Sequence, residues 1–136
     1  MMDMLALGQQ VLASQGFSRL LGTEMTAYSP EGVELRLPMR PELLQQNGFA
    51  HGGVVSYLAD NALTFAGGSA LGIAVLTAEY KINYLRPGVG QALVARAQVI
   101  YAGKSMATCR CDVFNVMDDG TEKLCATAQG TIAKVG

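Results

Sequence analysis

The longest apolar stretch of the chain surrounds a single carboxylate. From about Gly52 to Ala66, apolar side chains occupy nearly every face of a predicted helix, and Asp60 is the only charged residue among them. A helix at a protein surface keeps its acids on the wet face, whereas a helix that is apolar all round is buried. The pattern therefore predicts a buried helix, ended by the glycine-rich segment 67–72, that carries an acid into a partly desolvated space.

Strand patterns flank this helix on both sides. Six segments show apolar–polar alternation or β-branched enrichment: 20–28, 32–38, 75–85, 91–102, 105–116 and 123–134. Turn-forming residues separate the last four strands at 86–88, 103–104 and 118–120. This turn chemistry favours antiparallel neighbours, so the first two strands are predicted to form a hairpin and the last four an up-and-down meander.

Two smaller helical elements complete the prediction. A broad apolar face predicts an N-terminal helix within residues 1–18, running from Met4 to Gly16, and Pro41 opens a short helical turn through Leu44. The strands are long, and only one long helix is available to cover a face of the sheet. The expected architecture is one α+β domain over residues 1–136, with a curved antiparallel sheet wrapping the central helix.

Composition narrows the class of protein. The chain has 136 residues, 50% hydrophobic and 15% charged, which indicates one compact domain. A net charge of -1 without any Lys/Arg cluster argues against a nucleic-acid partner or a membrane-binding patch. The longest uncharged apolar segment, 62–78, is short of the roughly 20 residues of a membrane span, and no basic residue precedes Arg19 as in a signal peptide. A soluble, cytoplasmic protein is expected.

The cysteines indicate packing rather than chemistry. Cys109, Cys111 and Cys125 form no C-x-x-C pair, and His51 is the only histidine, so neither a zinc site nor a disulfide framework is indicated. Cys109 and Cys111 fall on one face of a predicted strand and are expected to act as small apolar residues.

The start of the central helix is a candidate oxyanion site. Gly52 and Gly53 present backbone N–H groups at the positive end of the helix dipole, although glycine pairs also serve turns and close packing. Gly52 and Asp60 are eight residues apart, about 12 Å along one helix, and cannot serve one carbonyl within one subunit. If both act on one carbonyl, a second, antiparallel copy must bring its Asp60 near this Gly52, and catalysis requires a dimer.

A polar seam crosses the helix at Asp60. Ser56 and Thr64 lie four residues before and after it, and Asn61 is its neighbour. The alternative to a catalytic Asp60 is that the seam forms a hydrogen-bonded helix contact at a subunit interface. His51 is a candidate base, but a histidine just before a helix is more often a cap or an organiser of the preceding loop.

These residues resemble a known family. The sequence H-G-G at 51–53, followed by an apolar helix with Asp60 nine residues after the histidine, is similar to the hotdog-fold acyl-CoA thioesterases of the phenylacetate-degradation (PaaI-like) type. The sequence T-A-E-Y-K-I-N-Y-L-R-P at 77–87 resembles the strand that follows the family's central helix. The resemblance covers roughly residues 20–134. It implies a hotdog fold and hydrolysis of an acyl-CoA to free acid and CoA, and the side chains of Tyr57, Leu58, Phe65 and Met106 allow an aromatic or medium-chain acyl group.

The resemblance also implies roles for single residues. Asp60 is the expected catalytic carboxylate, activating water or attacking the thioester carbonyl, while the Gly52 N–H of the other subunit polarises that carbonyl. Thr77 falls where the family has a Ser or Thr that helps to position the water. The expected substrate contacts are His51, Asn47 and Gly53, with Arg86, Gly103, Lys104 and Ser105 placed toward the CoA moiety.

One position departs from the family pattern. Where the family commonly has Asn six residues before the histidine, this chain has Gln45, with Asn47 nearby but out of step by two. Either amide is a candidate to orient the nucleophile or water. A base and an oxyanion site suffice for thioester hydrolysis, so no metal or cofactor is needed. The expected assembly is a homo-oligomer with its active site at the subunit interface, a dimer or a dimer of dimers.

Two other functions are compatible with the sequence. A hotdog hydratase or dehydratase uses a His–acid pair, and His51 with Asp60 offers both residue types, although their spacing argues against it. A non-catalytic acyl-CoA-binding module would use the same groove to sense its ligand. Hydration of enoyl-CoA without thiol release would favour the first alternative, and tight binding without turnover the second.

Overall fold

The computed structural model describes residues 3–136 and contains three α-helices and six strands. In chain order these elements are α1 (Met4–Ser14), α2 (Gly16–Leu21), β1 (Glu24–Ser29), β2 (Gly32–Pro38), α3 (Gly52–Leu71), β3 (Val75–Tyr84), β4 (Ala92–Ala102), β5 (Met106–Val116) and β6 (Glu122–Lys134). A short 3-10 turn at Pro41–Leu43 lies between β2 and α3, as predicted. Within this part of the chain, no helix combines the length and the apolar character that a membrane crossing requires.

The six strands form one antiparallel sheet in the order β1-β2-β4-β5-β6-β3. The predicted hairpins β1–β2, β4–β5 and β5–β6 are confirmed, but the predicted meander is wrong for β3, which pairs with β6 and not with β4. Both edges of β4 are already occupied, by β2 and β5, so β3 completes the free edge of β6. Two backbone N–H groups just after β3, those of Leu85 and Arg86, donate to the Cys125 carbonyl and keep the chain on β6.

Helix α3 packs across one face of this sheet and contacts strands β2 to β6. Leu58 and Leu63 of the helix are fully buried, as are Leu35, Leu93 and Ile132 of the sheet. A buried central helix covered by an antiparallel sheet is the expected hotdog architecture, which the structure confirms. The helix places Asp60 near its middle and Gly52 at its first turn.

The central helix is longer than predicted, because its first glycine past Ala66 serves the packing of the helix and does not end it. The helix does not end at about Ala66 but continues through most of the glycine-rich segment 67–72, to Leu71. A Cβ at Gly67 would lie only 2.5 Å from the Cβ of Ile132, so the glycine lets the helix approach β6 closely. The helix ends at Gly72, whose φ of 102° lies in the left-handed region that favours glycine.

The N-terminal helix is shorter than predicted. Of the segment 1–18, the first two residues lie outside the described part, and α1 ends at Ser14. The backbone is extended at Gln15, which starts a second helix, α2, that includes residues 20 and 21 of the predicted first strand. The Gln15 side chain accepts a hydrogen bond from Ser18, and this local bond competes with continuation of α1.

Candidate active site

Asp60 faces β3 and is held there by a hydroxyl group. Its Oδ1 accepts a hydrogen bond from Thr77 Oγ1 at 2.6 Å, and both side chains are half-buried. The Thr64 hydroxyl lies 2.8 Å from Thr77 Oγ1 and donates to the Asp60 carbonyl at 2.8 Å. Asp60 Oδ2 accepts no hydrogen bond from residues 3–136. It is therefore the oxygen available to a water molecule or to a thioester carbon.

A β-bulge determines which residues of β3 face the helix. One extra residue, Ala78, interrupts the pairing of β3 with β6. Before the bulge the half-buried residues are Val75 and Thr77, and after it they are Tyr80 and Ile82. Bulges re-aim side chains and are frequent beside functional sites. The bulge thus lets Thr77 contact Asp60 while Tyr80 and Ile82 still face the core.

The predicted polar seam exists, and its partners lie within the same protomer. Ser56 is hydrogen-bonded to the hydroxyl of Tyr80, Asp60 accepts from Thr77, and the Thr64 hydroxyl contacts Thr77 Oγ1 at 2.8 Å. The seam is therefore a contact between α3 and β3. It is not the helix contact at a subunit interface that was the alternative to a catalytic Asp60. Asn61 turns to the opposite side, where its amide donates to side chains of the α1–α2 region.

The first turn of α3 leaves one N–H group open. His51 is the N-cap, as expected for a histidine in this place: its Nδ1 accepts from the Gly53 N–H at 2.8 Å. The His51 carbonyl accepts from Val54 and Val55. The Gly52 N–H donates to no group among residues 3–136. It lies at the positive end of the helix dipole, where a carbonyl oxygen that gains charge is stabilised.

A cleft of about 360 Å³ opens in front of Gly52, between the start of α3 and the end of β3. Tyr84 and Arg86 line it, and the Tyr84 hydroxyl donates to the Gly52 carbonyl at 3.2 Å. Sequence reasoning missed Tyr84. The alternation of inward and outward side chains along β3 indicates its position, because Tyr84 follows Ile82 on the face that turns toward the central helix.

Gln45, and not Asn47, lines this cleft. Gln45 Oε1 accepts the backbone N–H groups of Asn47 and Phe49, which closes the loop before α3. Because that oxygen is engaged, the NH2 group is the end of the side chain available to a ligand. The Asn47 side chain is exposed, and this residue serves the loop through its backbone.

The candidate residues form two separate groups in one protomer. Asp60 and Thr77 lie together at the middle of α3, while the second group lies at its start and comprises Gln45, His51, Gly52, Gly53 and Arg86. Eight residues of one helix, about 12 Å, separate Gly52 from Asp60. The predicted separation of these two residues is thus a property of the structure.

The expected CoA contacts divide in the same way. Lys104 and Ser105 form the exposed turn between β4 and β5, and the Ser105 carbonyl accepts the N–H of Lys134, the partner of Val75 in the sheet. They therefore lie at the Thr77 end of β3. Arg86 lies past the other end of the strand, about 30 Å from Thr77 at roughly 3.3 Å per residue.

The cysteines are buried and free of disulfides. Burial raises the pKa of the Cys109 thiol to about 11 and that of Cys111 to about 12, so both stay neutral. Burial also raises the pKa of Cys125, although Arg86 acts in the opposite direction. Neutral buried thiols are poor nucleophiles, which agrees with the expected packing role. Within the described residues, no group of three or more potential metal ligands comes together.

Known proteins resemble this chain in sequence and in fold. The sequence model of the thioesterase superfamily matches residues 47–121, which include every candidate site residue except Gln45. The chain is 27% identical over 120 residues to the acyl-coenzyme A thioesterase PaaI of Escherichia coli K12, covering 88% of this chain and 82% of that protein. It is 25% identical over 125 residues to the medium/long-chain acyl-CoA thioesterase YigI of the same strain, covering 79% and 81%.

The solved structures agree with these sequence matches. A thioesterase family protein from Silicibacter pomeroyi superposes with a TM-score of 0.87 at 33% identity, covering 93% of this chain and 95% of that one. The structure of E. coli PaaI superposes with a TM-score of 0.81 at 20% identity, covering 95% and 91%. The fold extends over nearly the whole chain, including the helix and strands that carry both groups of candidate residues.

Proposed function

The chain belongs to the thioesterase superfamily and is an acyl-CoA thioester hydrolase, and we propose that Asp60 of one protomer acts with the Gly52 N–H of its partner. The observation that carries this proposal is the open N–H at Gly52, on the same helix as Asp60 but about 12 Å away. An oxyanion donor must lie within about 3 Å of the reacting oxygen, so one protomer cannot supply both groups. Two antiparallel copies of α3 can.

Strand β3 offers the surface for such pairing. It is an edge strand of ten residues, and Leu76 and Tyr84 on it are 63% and 54% exposed. A long, exposed edge is a template for pairing with another chain. An antiparallel β3–β3 contact brings the Arg86 end of one protomer to the Thr77 end of the other, and thereby one Gly52 cleft to the partner's carboxylate. The proposed unit is a homodimer, which can pair again as a dimer of dimers.

The chemistry follows from these positions. The thioester carbonyl accepts the Gly52 N–H, and the helix dipole stabilises the charge that develops on its oxygen. Asp60 Oδ2 either removes a proton from the attacking water or bonds to the carbonyl carbon itself, while Thr77 holds Oδ1. In the first case the water oxygen bonds to the acyl carbon as the carbon–sulfur bond breaks, and in the second the carbon–sulfur bond breaks first and water then cleaves the bond between the acyl group and Asp60. In both cases the thiolate of CoA takes up a proton from the water. Gln45 is the amide placed to orient the water or the carbonyl.

The two expected CoA-binding groups also meet in this dimer. Arg86 lies at the Gly52 end of one protomer, and Lys104 with Ser105 at the Asp60 end of the other. Antiparallel pairing places their positive charge and hydroxyl at the same site, where the phosphates of CoA require both. In a single protomer these residues stand at opposite ends of β3.

The hydratase alternative loses support from the geometry. His51 Nδ1 is used to cap α3, and His51 lies at the opposite end of the Gly52–Asp60 segment from the carboxylate. We propose further that residues 1–136 act as one domain in the cytoplasm. Three buried free thiols are compatible with a reducing compartment.

Two variants that each remove a different half of the site test the proposal. Gly52→Pro deletes the N–H at the first position of the helix, where proline is favoured. The residue before it, His51, already has φ -58° and ψ 136°, as a residue before proline requires. Asp60→Asn removes the base and keeps the shape. Each change is expected to lower kcat by about 10²–10⁴-fold.

Mixing the two inactive variants then distinguishes a shared site from a site within one protomer. A heterodimer of Gly52→Pro and Asp60→Asn contains one site with both defects and one intact site. After random reassociation of equal amounts, about a quarter of the wild-type turnover should return. Gly52→Ala is the control, since it keeps the N–H and its Cβ lies 3.8 Å from Tyr84. Turnover that stays at the level of the separate variants contradicts the shared site.

A further inference from the structure

An apolar cavity of about 340 Å³ lies between α1 and the second half of α3. Leu7 and Val11 of α1 form one wall, Phe65 and Gly68 of α3 the other, and Val75 of β3 the edge. None of the residues that line it is charged. Its volume falls within the range of small-molecule sites, which are concave and mostly apolar.

Three of the four polar side chains in the walls are engaged within the protein, and the fourth, Gln15, accepts from Ser18 and Asn61 through its Oε1. Tyr28 donates to the Phe65 carbonyl and Ser69 to the Ala66 carbonyl, each at 2.6 Å. The Thr64 hydroxyl donates to a carbonyl of its own helix. Burial raises the pKa of Tyr28 to about 12, so the phenol stays neutral. The surface that the cavity offers to a ligand is therefore uncharged and largely apolar, with the Gln15 NH2 group as a side-chain donor that has no partner among residues 3–136.

The cavity begins beside the candidate catalytic carboxylate. Thr64 lines it, and the Thr64 hydroxyl is 2.8 Å from Thr77 Oγ1, which is in turn 2.6 Å from Asp60 Oδ1. Val75 also lines it, two residues before Thr77 on the same face of β3. The Thr64 end of the cavity is thus the end nearer to Asp60, although neither Asp60 nor Thr77 lines the cavity itself.

From this end the cavity runs along α3. Thr64 and Gly72 mark its extent on the helix, eight residues or about 12 Å apart. An extended chain advances about 1.2 Å per bond, a third of the ~3.6 Å of an extended residue. The length corresponds to about ten chain atoms. A single aromatic ring would leave the far part of the cavity empty.

We propose that this cavity binds the acyl chain of the substrate, that the substrate is a straight-chain acyl-CoA of about eight to ten carbons, and that α1 limits the chain length. This inference rests on the proposed function, because it takes Asp60 as the point where the thioester is held. Burial of each methylene in an apolar cavity contributes about fourfold in affinity. A chain that fills the cavity is therefore strongly favoured over a short one.

Two substitutions in the walls change the cavity in opposite directions. A Cβ at Gly68 would lie 3.6 Å from Val75 Cγ2 and 3.7 Å from the Tyr28 hydroxyl, ordinary contacts, so Gly68→Ala adds a methyl group to the cavity without a clash. Val11→Ala removes two carbons from the opposite wall. Leu20→Ala is the matched control, since Leu20 is 67% exposed and does not line the cavity.

The experiment measures kcat/KM over straight-chain acyl-CoAs from four to sixteen carbons and for phenylacetyl-CoA. It also measures the dissociation constants of alkyl-CoA thioethers of the same lengths, which cannot be hydrolysed. The wild type should prefer eight to ten carbons. Gly68→Ala should lower kcat/KM for the longest accepted chain about 10-fold and leave butyryl-CoA within twofold. Val11→Ala should move the optimum to longer chains, and Leu20→Ala should not move it.

The two measurements separate this inference from the proposed function. If the thioethers bind with a length preference that Gly68→Ala shortens, but no acyl-CoA is hydrolysed, the cavity is confirmed and the proposed function is wrong. If acyl-CoAs are hydrolysed but both wall variants keep the profile of Leu20→Ala, or phenylacetyl-CoA is preferred over every straight chain, the inference is wrong and the function stands.

Discussion

Thr77 donates its hydroxyl hydrogen to Asp60 Oδ1 across 2.6 Å and so joins the edge strand β3 to the middle of the central helix. The bond fixes one oxygen of the carboxylate and leaves the other for chemistry. Thr77 stands directly before the bulge of β3, which sets its direction. The strand that offers the exposed edge for a second protomer thus also orients the candidate catalytic acid. In the proposed dimer, pairing of the two protomers and alignment of the carboxylate depend on the same element.

Loss of the Thr77 hydroxyl should reduce turnover while the fold is retained. Thr77→Val keeps the shape of the side chain but removes the donor, and a hydrogen bond to a charged group contributes about 1.5–3 kcal/mol. We expect kcat to fall by at least ~10-fold with little change in KM, measured by release of free thiol. Thr77→Ser retains the hydroxyl and should keep most of the activity. A Thr77→Val protein with the kcat of the wild type would contradict the role of this hydrogen bond.

His51 and Tyr84 hold the two ends of one peptide group, the one between Gly52 and Gly53. His51 Nδ1 accepts its N–H and the Tyr84 hydroxyl donates to its carbonyl. His51→Ala should therefore lower the free energy of unfolding by about 1 kcal/mol, the usual cost of a lost N-cap, and also lower kcat. His51→Asn, which can cap the helix, should restore most of both in urea unfolding and thiol-release assays. A His51→Ala protein as stable as the wild type would contradict the capping role.

The sequence predicts the helices and strands of this fold better than it predicts which of them lie side by side. Asp60 could be placed on a buried helix, and His51 at its cap, because helical periodicity and capping are local properties. The position of β3 beside β6 depends on which strand edges are free in the folded sheet, which no local pattern records. Gln45 and Asn47 could not be separated by spacing alone, because their difference lies in how the loop before the helix closes.

The glycines of α3 show the same limit. A glycine-rich segment after an apolar one is a usual sign of a helix end, and the segment 67–72 therefore predicts that the helix stops after Ala66. The close approach of Gly67 to Ile132 is a tertiary contact that the local pattern does not contain. The actual stop is Gly72, where the backbone itself takes a positive φ.

Gly67→Ala and Gly68→Ala are neighbouring changes with opposite expected effects. A Cβ at Gly67 would lie 2.5 Å from Ile132 Cβ, which overpacks the core at a cost of about 1–3 kcal/mol. A Cβ at Gly68 makes only ordinary contacts and improves helix propensity by up to ~1 kcal/mol. Urea unfolding should therefore show a lower midpoint for Gly67→Ala and an equal or higher one for Gly68→Ala. Matching midpoints would show that α3 does not pack on β6 through Gly67.

Arg96 links two carboxylates on the sheet, and this arrangement makes part of the stability depend on pH. Its Nε donates to Glu34 at 2.6 Å, and its two terminal nitrogens donate to Glu122 at 2.7 Å each. Hydrogen bonds from Thr26 and Arg96 hold the pKa of Glu34 below its ordinary value of 4.5, and the bonds from Arg96 do the same for the pKa of Glu122. A carboxyl whose pKa is lowered by folding stabilises the folded state above its unfolded pKa.

This stabilisation is lost as the pH falls below about 4.5 and through the lowered pKa values of the folded protein. Arg96→Met should therefore reduce the free energy of unfolding at pH 7, by up to ~1 kcal/mol for each partly exposed pair. At pH 3 the difference in free energy of unfolding between Arg96→Met and the wild type should shrink. Glu34 and Glu122 become protonated in the wild type, so their ion pairs with Arg96 are lost there too. Arg110→Met, which removes a cation from a long 3.8 Å ion pair, is the control and should show a smaller change at pH 7. Urea unfolding at both pH values measures the difference. An Arg96→Met deficit of the same size at pH 3 and pH 7 would show that the loss comes from the stacking of Arg96 on Phe114 and not from its ion pairs.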